Sequence, residues 1–291
     1  MDRREFLRLL AIAGVASGTA ACAGRSSRPD LYEAPAFGQA RLIHFTDCHA
    51  QLLPVYFREP NVNLGFADAF NRPPHLVGDA LLDHAGIEPG SEFAHAISYL
   101  DFTELARRFG RVGGFAHLRT LVKRLREESG PGNSLLLDGG DTWQGSGTAY
   151  WTRGRDMVGA CNLLGVDVMT GHWEFTYLDE EVLRNIDEFA GDFVAQNVRL
   201  TDDAIFDGAP AFDEDTGHVF RPYTMRDVGG RAIAVIGQAF PYTPIANPSR
   251  FIPDWTFGIR ADELQSLVDS IREREQPDAV VLLSHNGMDV D

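Results

Sequence analysis

Aspartate and histidine recur in four short segments of this chain, each just after an apolar run. They are Asp47-Cys48-His49 after Leu42-Ile43-His44-Phe45-Thr46, Asp141 after Leu135-Leu136-Leu137-Asp138-Gly139-Gly140, His172 and Glu174 after Val168-Met169, and His285-Asn286 after Val280-Val281-Leu282-Leu283. Carboxylates mixed with neutral imidazoles suit Mn, Fe or Zn better than Ca or Mg, which prefer oxygen ligands alone. The three cysteines, Cys22, Cys48 and Cys161, lack zinc-finger spacing and are too few for a disulfide framework. In a two-metal site one carboxylate can bridge both ions and hold a water between them as nucleophile. Asp141, on a Gly-Gly turn, is the candidate bridge. A lone Asp or His at such a position is ordinarily structural. Four together point to a metal site.

These residues need a frame that brings strand ends together. The apolar runs read as short buried strands, and amphipathic segments read as helices between them. Phe115, Leu118, Leu121, Val122 and Leu125 predict a helix over 114–128, stopped by Gly130-Pro131-Gly132. Further helices are expected near 155–164, after Asp179 as N-cap, and over 261–275 before Pro277. Strands are expected at 193–195 and as a hairpin of 219–228 with 231–237, joined at Gly229-Gly230. Residues 50–100 are weakly periodic and too long for an ordinary connection, which predicts a functional insertion or covering loop. The alternation predicts an α/β fold with a mixed, buried sheet, whose ligands sit at carboxyl ends of strands. No internal repeat is visible.

The chain has 291 residues, 44% hydrophobic and 23% charged, an ordinary globular composition. Its net charge of −16 argues against a general nucleic-acid binder. The head is different: Arg3, Arg4 and Arg8 stand against Asp2 and Glu5, so the body is more acidic than the whole. The segment Arg3-Arg4-Glu5-Phe6-Leu7 followed by the short apolar run Leu9 to Val15 resembles a twin-arginine export signal. Residues 1–23 are therefore expected to be a signal segment and 24–39, rich in Ser, Pro, Ala and Gly, a linker. Cleavage after Ala23 predicts a periplasmic product with no membrane attachment, unless Cys22 is lipidated.

The motifs Asp47-x-His49, Gly140-Asp141, Gly171-His172-Trp173-Glu174 and Ser284-His285-Asn286-Gly287 resemble the calcineurin-like metallophosphoesterase pattern in its 5′-nucleotidase branch. That branch usually reads Gly-Asn-His-Glu-Phe-Asp at the third motif. Here His172 replaces the Asn ligand, Trp173 the catalytic His, and Thr176 the Asp that supports it. These departures, with Thr46-Asp47-Cys48-His49-Ala50-Gln51-Leu52 and Gly139-Gly140-Asp141-Thr142-Trp143-Gln144-Gly145, resemble the SoxB thiosulfohydrolase subfamily. The resemblance runs from about residue 40 to the end.

The resemblance implies a four-layer α/β/β/α metallophosphoesterase sandwich with mixed sheets over 40–291. It also implies a dimanganese site, with Zn or Fe as alternatives. Asp47 and His49 would hold one metal, Asp141 would bridge, and His172 and His285 would hold the other. Asp141 and His172 would thereby position the nucleophilic water, with no general acid assigned. The family's later Gly-His-x-His motif and C-terminal substrate domain are expected beyond Asp291, so the site as written is expected to be incomplete and poorly active. The implied activity is release of sulfate from cysteine-S-thiosulfonate on a SoxYZ-type sulfur-carrier protein.

The chemistry agrees with the departures. An alkoxide is a poor leaving group and needs a proton donor; Trp173 cannot serve. A thiol, with pKa of about 8.5, leaves more readily, and a persulfide more readily still. Trp173, Arg153, Arg155 and Tyr177 are candidates to meet an anionic sulfonate, as is Tyr150. Glu174 is a candidate partner that orients a ligand. Cys48 and Cys161 read as buried packing residues rather than redox thiols. Alternatives are a periplasmic 5′-nucleotidase or cyclic phosphodiesterase, which the missing His-Asp pair opposes, and a non-catalytic metal-binding periplasmic protein.

Overall fold

The computed structural model describes residues 38–56, 65, 67–89, 91, 94 and 107–287. The signal and linker expectations for 1–37 fall outside them. In chain order the elements are β1 (Arg41–Phe45), β2 (Val55–Tyr56), α1 (Gly78–Ala85), β3 (Arg111–Val112), α2 (Phe115–Ser129), β4 (Ser134–Asp138), α3 (Gly147–Thr152), α4 (Arg155–Leu164), β5 (Val168–Met169), α5 (Asp179–Glu188), β6 (Asp192–Phe193), β7 (Arg199–Leu200), α6 (Asp202–Phe206), β8 (Tyr223–Val228), β9 (Arg231–Gln238), α7 (Thr243–Ala246), β10 (Trp255–Thr256), α8 (Ala261–Arg274) and β11 (Ala279–Ser284).

Side chains alternate across a strand, and that alternation builds the layers. On β4, Leu136 joins Val122 of α2 and Val158 and Cys161 of α4, while Leu135 and Leu137 face Ile233 and Val235 of β9. On β9, the intervening Ala234 and Ile236 turn the other way, onto Ile271, Leu264, Leu267 and Val268 of α8. The order is therefore helices, sheet, sheet, helix: an α/β/β/α sandwich. The first sheet runs β1-β4-β5-β6, and its three strand pairs are all parallel. The second runs β11-β9-β8, parallel between β11 and β9 and antiparallel between β9 and β8. Leu135, Leu136 and Leu137 are all buried, as a parallel strand covered on both faces requires.

The two sheets meet at a hydrogen-bonded seam. Gln196 N–H donates to Gly237 O at 2.8 Å and Ala195 N–H to Arg221 O at 3.0 Å. The Asn197 side chain donates to Ala239 O at 2.7 Å and accepts from Ala239 N–H at 2.9 Å. A Cβ on Gly237 would lie 1.9 Å from Val194 O, so only glycine fits the approach.

Three expectations are corrected in detail. The buried sheet of the pattern is two sheets, because β9 and β11 alternate onto two different layers. The helix after residue 178 is capped by Leu178, and Asp179 begins it; Asp179 Oδ1 accepts Glu180 N–H at 2.9 Å. Asp179, Glu180 and Glu181 together complement the helix dipole there, which removes the need for a side-chain cap. The hairpin's first strand begins at Tyr223, since Val219 and Phe220 leave the ladder for the aromatic core beside Phe175 and Trp255. Within 50–100, Val55–Tyr56 pairs antiparallel with Arg111–Val112.

Candidate metal centre

The carboxyl ends of β1, β4, β5 and β11 converge, because β4 lies between β1 and β5 and the seam brings the second sheet alongside. After β1 the backbone turns sharply: Asp47, His49 and Ala50 have φ of 55°, 44° and 52°. Asp141, after β4, has φ of 60°. Left-handed backbone at non-glycine residues is costly, and here it turns three of the polar side chains toward one point. Asp47 N–H to Gly140 O at 3.0 Å and His49 N–H to Asp141 O at 2.9 Å lock the two turns together. Gly140, with φ of 95°, passes so close to the next turn that a Cβ would sit 2.9 Å from Thr170 O.

Two groups of ligand-type atoms result, each with its atoms within 4.8 Å of one another: Asp47, His49 and Asp141, and Asp141, His172 and His285. Asp141 belongs to both. Its Oδ2 lies 3.5 Å from His49 Nε2 and 3.4 Å from His172 Nδ1. Asp47 Oδ1 lies 3.9 Å from both His49 Nε2 and His285 Nε2.

The hydrogen bonds leave a cation's worth of lone pairs unspent. His285 Nδ1 lies 2.7 Å from Gly139 O, which makes that nitrogen the N–H donor and leaves Nε2 as a lone pair. That lone pair faces His172 Nδ1 at 3.1 Å. If His172 donates from Nδ1, its Nε2 is a buried lone pair without a partner among the described residues; if it does not, two lone pairs face each other. Asp141 Oδ1 is likewise buried and unpartnered. A divalent cation between His172 Nδ1 and His285 Nε2 takes up the two facing lone pairs, and the mixed carboxylate and imidazole donors suit a transition metal.

Glu174 holds this arrangement from behind. It is fully buried. Its Oε1 accepts the N–H groups of Thr142 (2.7 Å) and Trp143 (3.0 Å), and its Oε2 those of His172 (2.8 Å) and Asp141 (3.1 Å). It touches backbone rather than a ligand side chain. Asp138 also lies behind the turn, accepting from Gly140 N–H at 3.0 Å and Thr142 Oγ1 at 2.8 Å; burial pushes its carboxyl well above the usual range. Burial also pushes the Cys48 thiol up to about 12, with the nearby Asp138 adding to it, so it stays a neutral packing group. Cys161 is in the core beneath β4.

The remaining sequence candidates divide. The Trp173 ring lies beside His172, centroids 5.2 Å apart, and lines a cavity of about 550 Å³ with Arg153, Tyr150 and Tyr177. Arg153 is exposed, its guanidinium over the Tyr150 ring. The Tyr177 hydroxyl is spent on Trp143 O at 3.0 Å, leaving the ring as its contribution to the wall. Arg155 does not line that cavity; its Nε points to Thr152 O. Thr176 Oγ1 donates to Trp173 O at 2.7 Å, within the 3-10 turn Trp173–Thr176. Sequence reasoning missed Phe240, whose ring packs on His172 with centroids 4.1 Å apart. The end of β9 is a strand end like the others, but it carries no Asp or His to mark it.

The same architecture occurs in known proteins. A structure of the sulfate thiohydrolase SoxB from Thermus thermophilus, in complex with glycerol, is 38% identical, with a TM-score of 0.65, over 88% of this chain and 45% of that one. The chain is a SoxB-like metallophosphoesterase of the 5′-nucleotidase family. A 5′-nucleotidase of Rattus norvegicus is 30% identical over 62% of the chain. The calcineurin-like phosphoesterase YfkN of Bacillus subtilis, 15% identical with a TM-score of 0.54 over 86% of the chain, shares the fold. No family model matches. The SoxB-like chain spans about 30% of the length of the curated relatives it matches. Family members are metal-dependent hydrolases, and the two Asp/His groups of this SoxB-like chain are of the kind that holds a divalent metal. No helix among its described residues is long and apolar enough to cross a membrane.

Proposed function

We propose that the chain belongs to an enzyme that releases sulfate from a cysteine-S-thiosulfonate on a SoxYZ-type carrier protein, in the periplasm after twin-arginine export. In this reading Asp47 and His49 hold one divalent ion, His172 and His285 the other, and Asp141 both; manganese is the metal. When bound, the metals polarise the sulfonate oxygens and activate water. Glu174 keeps Asp141 and His172 in register. Arg153, on the cavity wall with Trp173, is the cation offered to the sulfonate.

The observation that carries the reading is Trp173 with Thr176. A phosphate ester needs a proton delivered to its leaving oxygen. The indole beside His172 cannot cycle one, and the Thr176 hydroxyl is engaged within its own turn. Hydrolysis of the thiosulfonate sulfur–sulfur bond consumes one water and yields sulfate, a persulfide anion and two protons. The persulfide leaves as an anion, so Trp173 suffices where a nucleotidase needs an acid. The 38% identity to SoxB supports the same substrate class.

A nucleotidase is the second reading, favoured by the identity to the rat 5′-nucleotidase. The test loads the intact protein with manganese and assays carrier-bound thiosulfonate and AMP in parallel. Sulfate without phosphate is expected; phosphate without sulfate overturns the reading.

A further inference from the structure

The cavity beside Trp173 contains a side chain that the hydrolytic chemistry does not use. Asn247 follows α7 and is only 3% exposed. Its backbone N–H is spent on Thr243 O at 2.8 Å, ending the helix. Its side-chain Nδ2 and Oδ1 are both buried, and neither has a hydrogen-bond partner among the described residues. A buried amide with donor and acceptor both idle is costly to fold around, so its occupant is expected from outside. It lies on the wall of the same cavity of about 550 Å³ as Trp173, Arg153, Tyr150, Gln144 and Phe251.

The amide's chemistry selects the ligand. Its donor and acceptor lie side by side in one plane, so the matching group presents an acceptor beside a donor in the same way. A sulfonate or phosphate offers acceptors only and leaves Oδ1 facing negative charge. A peptide group offers both. The cavity's surroundings favour a macromolecule: α3 carries Trp151, 77% exposed, and α7 carries Ile245, 83% exposed, each in the helix that supplies part of the cavity lining. Large apolar side chains left bare on the helices that supply a cavity's wall are in keeping with a protein-binding surface.

We propose that Asn247 is a recognition residue that pairs with a backbone amide of the peptide segment presenting the thiosulfonate. The segment enters the cavity along Trp173, and Trp151 and Ile245 cover the flanking residues of the partner. This rests on the carrier reading for the identity of the peptide, but binding can be measured without turnover.

The probe is a synthetic peptide with a central cysteine-S-thiosulfonate, compared with copies in which single backbone amides are N-methylated, and with adenosine. Binding to the intact manganese-loaded protein is measured by calorimetry, and sulfate release is recorded separately. Asn247→Ala is expected to weaken the peptide about tenfold per hydrogen bond lost. One N-methylated copy should lose a similar factor against the wild type and nothing further against Asn247→Ala. Asn247→Asp, nearly the same shape with the donor replaced by charge, should also bind weakly while melting close to the wild type. Unchanged peptide affinity in both variants, with melting intact, overturns the proposal. So does a loss confined to adenosine, which would make the cavity a nucleobase site. Asn247-dependent peptide binding without sulfate release from any substrate would overturn the proposed reaction and leave the recognition residue standing.

Discussion

Glu174 and Asp141 lie 33 residues apart, and the buried carboxylate of one accepts the backbone N–H of the other at 3.1 Å. The same carboxylate accepts His172 N–H, so one side chain fixes the backbone of Asp141, which both Asp/His groups share, and of His172, which belongs to one of them. Glu174→Gln puts an amide N–H against a cluster of N–H donors. Manganese affinity should fall by about 10- to 100-fold with the fold retained. Calorimetric metal titration checks this, and unchanged affinity removes the positioning role.

The 3-10 turn Trp173–Thr176 has three residues per turn, which sets side chains three apart on one side. Trp173→His with Thr176→Asp therefore restores a His-Asp pair at the geometry it requires. AMP hydrolysis by the intact protein should rise by about 100-fold, the usual worth of a positioned acid. Steady-state phosphate release reads this out; a flat response would mean that leaving-group chemistry is not what Trp173 decides.

Metal should stabilise the fold, because it pairs the lone pairs at Asp141, His172 and His285. At a hundredfold excess over its dissociation constant, bound manganese adds about 2.7 kcal/mol, a rise in melting temperature of about 5 °C or more. Asp141→Asn should abolish most of the rise and EDTA all of it, as scanning calorimetry would record.

His218, which belongs to neither Asp/His group, gives a pH dependence with a definite sign. Burial, reinforced by Arg199, lowers its pKa to about 4, and its Nδ1 meets Thr216 Oγ1 at 2.7 Å. Between the folded value and the ordinary 6.5 the unfolded chain binds the extra proton, so stability rises with pH across that window and is lost as pH falls through it. The loss from pH 7 to 4 should be on the order of 2–3 kcal/mol. His218→Gln should flatten that part of a denaturant-derived stability profile.

The clustering of Asp47, Asp141, His172 and His285 was legible because chemistry and periodicity coincide there: each follows an apolar run that reads as a strand. The layers were legible through the resemblance, whereas the pattern alone gave one sheet. Which face of a strand meets which layer depends on partners such as Leu135 and Ile233, nearly a hundred residues apart. Glu174 was visible as a candidate orienter, but its target is backbone, and no side-chain spacing encodes a backbone donor. Asn247 was invisible because its significance lies in what does not touch it. Arg155 and Arg153 look alike in sequence, and only the left-handed turn at Arg153 separates them.

The seam between the sheets makes the Asp/His cluster a caliper. His285 rides on the second sheet, while Asp141 and His172 ride on the first, and Gly237 lets the two backbones touch. The jaw opening is the spacing of two β-layers, a quantity fixed by the packing of Val194, Val235 and Leu283. A methyl group added or removed there, remote from Asp141, His172 and His285, would reset the span between the Asp and His side chains of the cluster. The fit of a metal to that cluster would thereby be written partly in the hydrocarbon between the sheets.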